Sequence, residues 1–488
     1  MKMKKLVSLL LAGAMTMSMA ACGDAPEASN NNADATSKAP VSVEEKATDD
    51  VRANALANGE TLTLWTWTDD MKAFAEHYEE ATGIHVEVVN IPTADYPTVL
   101  QTSFGDGTGK PEFDLCGGEP QMLGQFFDAG IFEDLSALGA DAYADQIVDY
   151  VWQVGQDADH TVRAISYQIT PAGFYYRRDI AEKVFGFSEP EKVAELFSSY
   201  EKITETGRTL KEQGYRIFAS DAELSYFSGD SAWVIDGKLN VSPAREAFMD
   251  MSVQLYQEDL TAYAAQWATP WYQAMAGEVP VLTAELQGGD WSTNEDGTVA
   301  LNIWDAENFN ANVGNYTSEM TEVFAYGLPA WGVLIMRDHV ADTTAGKWGV
   351  CPGPAYGFGG GTYMGISSIS EHKDLAWDFI KFCTLNEETA DWWIEKSQGD
   401  TVSLKAALEK HKDDENPVYG NQKMYSMWLE LAEGIDYSKV TKYDDQIGKL
   451  WGNAISQIKL GEKNKEDAIN EFYEQVESTF AGEIEVVR

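Results

Sequence analysis

The chain has 488 residues, 44% of them hydrophobic and 12% aromatic, and carries a formal net charge of −44 at pH 7. That length and composition predict a globular body of two or three domains, not a small stapled scaffold or a largely unfolded chain. The charge disfavours nucleic acid and anionic lipid surfaces as partners, because it repels both.

At the start, Lys2, Lys4 and Lys5 precede an apolar run from Leu6 to about Met15, and small residues lead to Ala20-Ala21-Cys22. This is the layout of a secretory signal, residues 1–21. The run falls short of the roughly 20 apolar residues that a membrane span needs, and no later run approaches that length. The small-small-Cys ending resembles the bacterial lipobox, with Met19 where that motif usually carries Leu. The resemblance implies a lipid on Cys22 and a protein held at the cell membrane on its extracytoplasmic face, at the cell surface or in the periplasm. Dual acylation would make that attachment stable. Residues 22–58 hold almost no large apolar side chains, which predicts a disordered tether.

Regular structure is predicted from Thr61. Leu62 and Leu64 alternate with threonines up to Trp65-Thr66-Trp67, a strand pattern. Asp69-Asp70 opens a helix whose Met71, Phe74, Ala75 and Tyr78 share one face, and Gly83 stops it. Ile84, Val86 and Val88 give a second strand, so the opening is a parallel strand–helix–strand unit. A helix over 95–104, the turn Gly105-Asp106-Gly107, a short strand over Phe113–Cys116 and a helix over Gln121–Phe127 follow. Phe174-Tyr175-Tyr176 reads as a strand entering a helix near Asp179, and Lys347–Cys351 as another strand. Ala376, Phe379, Ile380 and Cys383 mark one late amphipathic helix, and Ile469, Phe472, Tyr473 and Val476 mark the last. The predicted class is α/β.

Most catalytic patterns are missing. The six histidines show no His-Glu-x-x-His, and there is neither Cys-x-x-Cys nor Gly-x-Ser-x-Gly. Gly105–Lys110 has the wrong spacing for a phosphate loop and is followed by Pro111. Asn294–Gly297 lacks the twelve-residue calcium pattern. No cofactor or metal is therefore predicted. Beyond Cys22, the widely spaced Cys116, Cys351 and Cys383 are odd in number and read as buried, unpaired thiols. Among 79 acidic residues no segment singles out a carboxylate pair for glycoside hydrolysis.

Tryptophan stands out instead. Of 15, several lie beside Gly, Pro, Asp or Asn, among them Trp65, Trp67, Trp233, Trp267, Trp271, Trp291, Trp304 and Trp331. An indole buries the flat apolar face of a sugar while nearby carboxylates and amides take its hydroxyls. For any one of these rings the core reading is favoured, while of the set at least two are expected to line a site.

Thr61-Leu-Thr-Leu-Trp-Thr-Trp67, Glu79-Glu-Ala-Thr-Gly83 and Ile84-His-Val-Glu-Val88 resemble the opening of the family 1 extracellular solute-binding proteins, the carbohydrate-binding subunits of ABC importers. Phe127-Asp-Ala-Gly130-Ile-Phe-Glu-Asp-Leu135, Phe174-Tyr-Tyr-Arg-Arg-Asp179, Lys347-Trp-Gly-Val-Cys-Pro-Gly-Pro354, Gly359-Gly-Gly-Thr362 and Leu375-Ala-Trp-Asp-Phe-Ile-Lys-Phe382 follow in the family's order. The resemblance implies two α/β lobes of the periplasmic binding-protein kind, each with a mainly parallel sheet flanked by helices, joined by a hinge. Lobe 1 would comprise 59–173 and 346–385, and lobe 2 would comprise 174–345 and 386–488. It implies a monomer without enzymatic activity that captures a carbohydrate, an oligosaccharide by expectation, and delivers it to ABC permease subunits. It places Trp67, Asp69, Glu119, Gln168, Trp331, Gly361 and Tyr363 at the ligand. Trp65, Tyr175, Trp233, Trp271 and Trp291 are further candidates from the aromatic pattern. Asp69 could instead cap its helix, Glu119 could be a solvated turn residue, and Tyr175 could face core or cleft. Arg177 and Arg178 read as structural ion pairs. The alternatives are an extracytoplasmic glycoside hydrolase and a binding protein for a non-sugar solute.

Overall fold

In the computed structural model the described residues are 43–92, 95–105, 113–127, 129–229, 231–264, 266–267, 269–277, 322–340, 343–437, 441 and 443–487. Cys22, Trp291 and Trp304 lie outside them.

β1 (Leu62–Thr66) turns Leu62 and Leu64 fully inward. The next helix, Asp70–Thr82, lays Met71, Phe74, Ala75 and Tyr78 on the same core. It stops at Gly83, whose φ of 77° only glycine adopts without strain, and whose N–H closes on the Glu79 carbonyl. β2 (Val86–Asn90) and β3 (Leu115–Gly118) flank β1 in parallel. β4 (Ala164–Ser166) completes the sheet through β11 (Tyr363–Ile366), which runs antiparallel to both β3 and β4, in the order β2-β1-β3-β11-β4.

A second sheet has the order β10-β5-β9-β6. Here β5 (Ala172–Arg177) runs against β10 (Trp348–Pro352) and β9 (Val323–Pro329), and β6 (Arg216–Phe218) lies parallel to β9. β7 (Val234–Ile235) and β8 (Lys238–Leu239) form a separate small hairpin. Successive residues of the second sheet feed different cores, as the two-residue period of a strand requires. Tyr175, Tyr326 and Trp348 join the cluster that fills the first sheet, whereas Phe174, Tyr176, Phe324 and Cys351 join a second cluster with Trp233, Trp451 and Phe472. Instead of two mainly parallel sheets, the first is mixed and the second is paired mainly antiparallel, because each holds one reversed strand between neighbours that run the other way. Those reversed strands, β5 and β11, are the ones that receive the chain after it crosses between sheets.

The two crossovers lie side by side. Residues 167–171 lead from β4 to β5, and 353–362 lead from β10 to β11. Pro171 bridges Phe358, Ala172 N–H donates to the Gly357 carbonyl at 2.8 Å, and Gly359 N–H donates to Thr170 at 3.2 Å. A third segment, 400–403, is bonded along the first crossover: Thr401 donates to the Ile169 carbonyl and Ser403 to the Ser166 carbonyl, both at 2.6 Å.

Three expected boundaries move. The segment expected to be tether holds a helix, Val43–Asn58, on which Ala55 is buried and Arg52 meets the buried Asp378 at 2.7 Å. Trp348–Pro352 pairs with β5, so the chain returns to the first sheet after Pro352 rather than at 346. The stretch 386–488 also divides: Trp393, Leu408 and Trp428 fill the first cluster, and Ile447, Trp451 and Phe472 fill the second.

Candidate functional site

Open parallel sheets present their ligand sites at the carboxyl ends of the strands, where the backbone leaves the sheet and side chains are free to point outward. In the first sheet the pair Trp65↔Cys116 is the last in register between β1 and β3, so Trp67 and Glu119 leave the sheet side by side. Trp67 is half-buried and its ring lies 6.1 Å from that of Tyr96, whose hydroxyl is fixed against the Gly117 carbonyl at 2.7 Å. In the second sheet β9 ends at Pro329 and the chain turns through Ala330 into Trp331.

These two edges meet at the second crossover. Trp331 donates its indole N–H to the Gly359 carbonyl at 2.8 Å. At Gly360, a Cβ would stand 3.0 Å from Trp331 Nε1 and 3.3 Å from Glu119 Oε1, and its φ of 74° already favours glycine. Gly361, with φ 100°, turns the chain on towards β11. Tyr226 packs its ring on Gly359, and burial, with the Glu119 charge behind it, pushes the Tyr226 hydroxyl up from its ordinary pKa. The half-buried Trp331 also stacks on Trp267, with centroids 5.9 Å apart and planes at 30°. A carboxylate from one sheet and an indole from the other therefore flank one glycine, with a tyrosine and a second indole beside them.

The family model for bacterial extracellular solute-binding proteins matches residues 73–418. The chain belongs to this family. No match was found among the curated proteins. Among solved structures, an extracellular solute-binding protein of family 1 superposes with a TM-score of 0.66 at 18% identity, over 86% of this chain and 99% of the other. The ABC transporter associated binding protein of B. animalis subsp. lactis, in complex with β-1,6-galactobiose, gives 0.62 at 19% identity, over 86% and 97%. An ABC transporter solute-binding protein from Thermotoga lettingae, bound to α-D-tagatose, gives 0.61 at 17% identity, over 86% and 99%. The chain shares their two-lobed α/β fold. Among the described residues no helix is long and apolar enough to cross a membrane.

Against this solute-binding fold the sequence-derived residues separate. Trp67, Glu119, Trp331 and Gly361 stand at the converging edges. Asp69 is exposed, makes no cap bond, and accepts from Asn90 Nδ2 at 3.0 Å. The others that the structure describes lie in the interior here. Trp65 is buried and packs on Phe113 at 4.8 Å. Tyr175 is fully buried and its hydroxyl lies against the Pro329 and Ala330 carbonyls. Trp233 is in the second core, with the Arg245 guanidinium 3.8 Å above its ring. Tyr363 is buried at the head of β11, and Trp271 is fully buried beneath Trp267. Gln168 is buried too, its amide donating to Asp400 at 3.1 Å. Arg177 forms a two-pronged pair with Asp179, both contacts at 2.7 Å, as an ion pair of structural kind should.

The sequence also missed a set of buried carboxyls. Glu223 accepts from Trp271 Nε1 at 2.6 Å and from the Ser220 N–H at 3.1 Å, and burial pushes its pKa up to about 8. Asp400, held by Gln168, Trp393 and the Thr401 N–H, is pushed by burial to about 7. Asp70 accepts from Tyr167 at 2.5 Å and Thr362 at 3.3 Å, and burial raises it. In the sequence each is one acid among 79.

Proposed function

We propose that this solute-binding protein captures a carbohydrate between its two sheets and hands it to the permease of an ABC importer, with no chemistry on the sugar. The observation that carries this function is the convergence of Trp331 and Glu119 from different sheets on Gly360. An indole face suits the apolar face of a pyranose, and a carboxylate beside it accepts from two adjacent hydroxyls. Trp67 supplies a further aromatic surface on the first sheet. The sugars bound by the bifidobacterial and Thermotoga neighbours support a sugar over a peptide or polyamine. A solute that touches both lobes favours the closed arrangement over the open one by its differential affinity, and the paired crossovers are the segments that would bend.

Attachment to the membrane through a lipid on Cys22 belongs to the same proposal and rests on the signal-like start. Cys22→Ser should release the protein into the medium or periplasm, and retention in the membrane fraction would refute the anchor. Sugar capture is tested by a thermal-shift screen against a glycan panel. A ligand at 100 times its Kd adds about 2.7 kcal/mol of stability, readily seen as a rise in melting temperature. A shift with peptides or polyamines and none with any glycan would replace the sugar by another solute.

A further inference from the structure

The two crossovers and the segment laid along the first of them meet at two buried carboxyls. Asp70 begins the helix Asp70–Thr82, three residues after Trp67. Its Oδ2 accepts from the Tyr167 hydroxyl at 2.5 Å, at the start of the first crossover, and from the Thr362 hydroxyl at 3.3 Å, at the end of the second. Asp400 Oδ2 accepts from the Gln168 amide at 3.1 Å and from Trp393 Nε1 at 2.9 Å, and its Oδ1 accepts from the Thr401 N–H at 2.8 Å. Thr401 in turn donates to the Ile169 carbonyl. Two acids therefore grip adjacent residues of the first crossover. Each also grips a second segment: Asp70 the second crossover just beyond Gly361, and Asp400 the segment 400–403.

Both carboxyls are withdrawn from water: Asp400 is fully buried, and Asp70 Oδ1 is shielded from solvent. Burial raises both above the ordinary carboxylate range, Asp400 to about 7, and the charge on Asp70 adds to the rise at Asp400. Two like charges in one dry site resist ionising together, so the pair keeps a proton to near neutral pH. The other titratable groups that face the pair do not compete for it. Tyr167, Tyr175 and Tyr425 face Asp400, Cys383 faces Asp70, and burial raises all four. They stay neutral while the pair titrates. Arg337, on the helix Gly332–Val340, supplies a cation facing Asp400, and its guanidinium is engaged by Asp338 at 2.7 Å and by the Ser397 carbonyl at 3.1 Å.

The segments gripped here carry the edges of the candidate site. Trp67 precedes Asp70, and Gly360 and Gly361, beside Trp331 and Glu119, precede Thr362. While the pair holds a proton, the segments stay drawn together as they are in the structure. When that proton leaves, two charges stand in the knot, and parting the segments to admit water relieves them. We propose that Asp70 and Asp400 are positioning residues of the solute site that act as one proton-sharing pair, drawing the crossovers together while they hold a proton and releasing them when it leaves, so that solute capture is stronger in acidic than in alkaline medium. The inference rests on the capture function proposed above. By linkage, the arrangement with the edges together binds more protons, so a solute that favours it takes up protons as it binds.

Hydrogen exchange of the unliganded protein, corrected for the intrinsic pH dependence of amide exchange, reads the crossovers directly. Between pH 6 and pH 8 the peptides covering 167–171, 353–362 and 400–403 should lose protection in the wild type. Asp400→Asn, which keeps an acceptor for Trp393 but cannot ionise, should show no such loss. Calorimetric titration in two buffers of different ionisation heat reads the coupling, with the saccharide that gives the largest thermal shift. Wild-type affinity should fall about 3- to 10-fold over the same range, with proton uptake on binding, and Asp400→Asn should show neither effect. Should Asp400→Asn not fold, Asp70→Asn takes its place, and loss of the Asp70 charge should move the response to lower pH. Wild-type protection and affinity that stay constant between pH 6 and pH 8 overturn the inference without any variant. So does a response that survives in folded Asp400→Asn, or one that Glu223→Gln abolishes instead. If a glycan binds with a flat pH profile, sugar capture stands and the pair falls. If protection responds but no glycan binds, sugar capture falls while the hold of the pair on the crossovers stands.

Discussion

Glu223 and Asp400 are carboxyls that the folded chain keeps out of water, and both then hold their protons to higher pH than an exposed acid does. From an ordinary value of 4.5, Glu223 rises to about 8, and Asp400 rises from 3.8 to about 7. Between those limits the unfolded chain has released the two protons and the folded chain still binds them, so stability falls as pH rises. Below pH 4 both states are protonated and nothing is lost from these groups, and above about pH 8 the loss is complete. Urea midpoints should therefore decline from pH 5 to pH 8. Glu223→Gln, which keeps an acceptor for Trp271 but cannot ionise, should flatten that decline. An unchanged slope in the variant would remove Glu223 from its cause. The three core thiols give a second check at this scale. Cys116, Cys351 and Cys383 are free and buried, and burial raises all three pKa values. They should be silent to a thiol reagent in the native protein and titrate as three in denaturant without reductant. Titration of one would show a disulfide. Residue type was legible in the sequence here, and the side it faces was not. Trp65 and Trp67 are two apart on one strand run, yet one is buried and the other is half-buried just past the strand's end. Trp267 and Trp271 are four apart, yet one is exposed and the other sealed beneath it. Only packing against elements far along the chain decides between such neighbours.

At the scale of elements, strong local periodicity was readable. β1, the helix Asp70–Thr82 and the helix Lys465–Thr479 appear where alternating or helical apolar spacing places them. Weak periodicity was not. Among the described side chains of the helix Val43–Asn58, Ala55 is the one fully buried and Val51 is half-buried, a stripe too thin to distinguish its polar composition from a tether. Its docking is largely polar instead: Arg52 and Tyr78 both donate to Asp378 Oδ2 at 2.7 Å, and Lys381 reaches Thr48 at 3.1 Å. Arg52→Ala would leave the 2%-exposed Asp378 with half its partners. The expected cost is about 1–3 kcal/mol, read as a lower urea midpoint, with Arg52→Lys in between. A neutral Arg52→Ala would mean that the helix is dispensable to the fold. The boundary at β10 was hidden for a different reason. Its Val350↔Tyr175 pairing joins residues far apart in sequence, and no local signal reports which sheet a buried strand joins.

For the molecule as a whole, two sheets exchange the chain through two adjacent crossovers, and the ends of β3 and β9 meet over the second of them. The family, the α/β class and the two-lobed plan were legible because many weak motifs occur in one order. Of the residues that motifs put forward for the proposed site, Trp67, Glu119, Trp331 and Gly361 lie at the converging strand ends. Tyr226 and Trp267, which no motif marked, come near Gly359 and Trp331 from segments that follow β6 and precede β9 in the chain, outside any strand of that sheet. The central claim is that a sugar is gripped at Trp331 between the sheets. Its most direct test is calorimetric titration of Trp331→Ala beside the wild type, using the saccharide that gives the largest thermal shift. Losing a buried aromatic face worth about 1.5–3 kcal/mol should weaken binding about 10- to 100-fold. Unliganded stability should fall only by about 1 kcal/mol, the worth of the hydrogen bond to Gly359. Full affinity in a folded Trp331→Ala protein, or a stability loss of the 3–5 kcal/mol that truncating a core tryptophan costs, would contradict it.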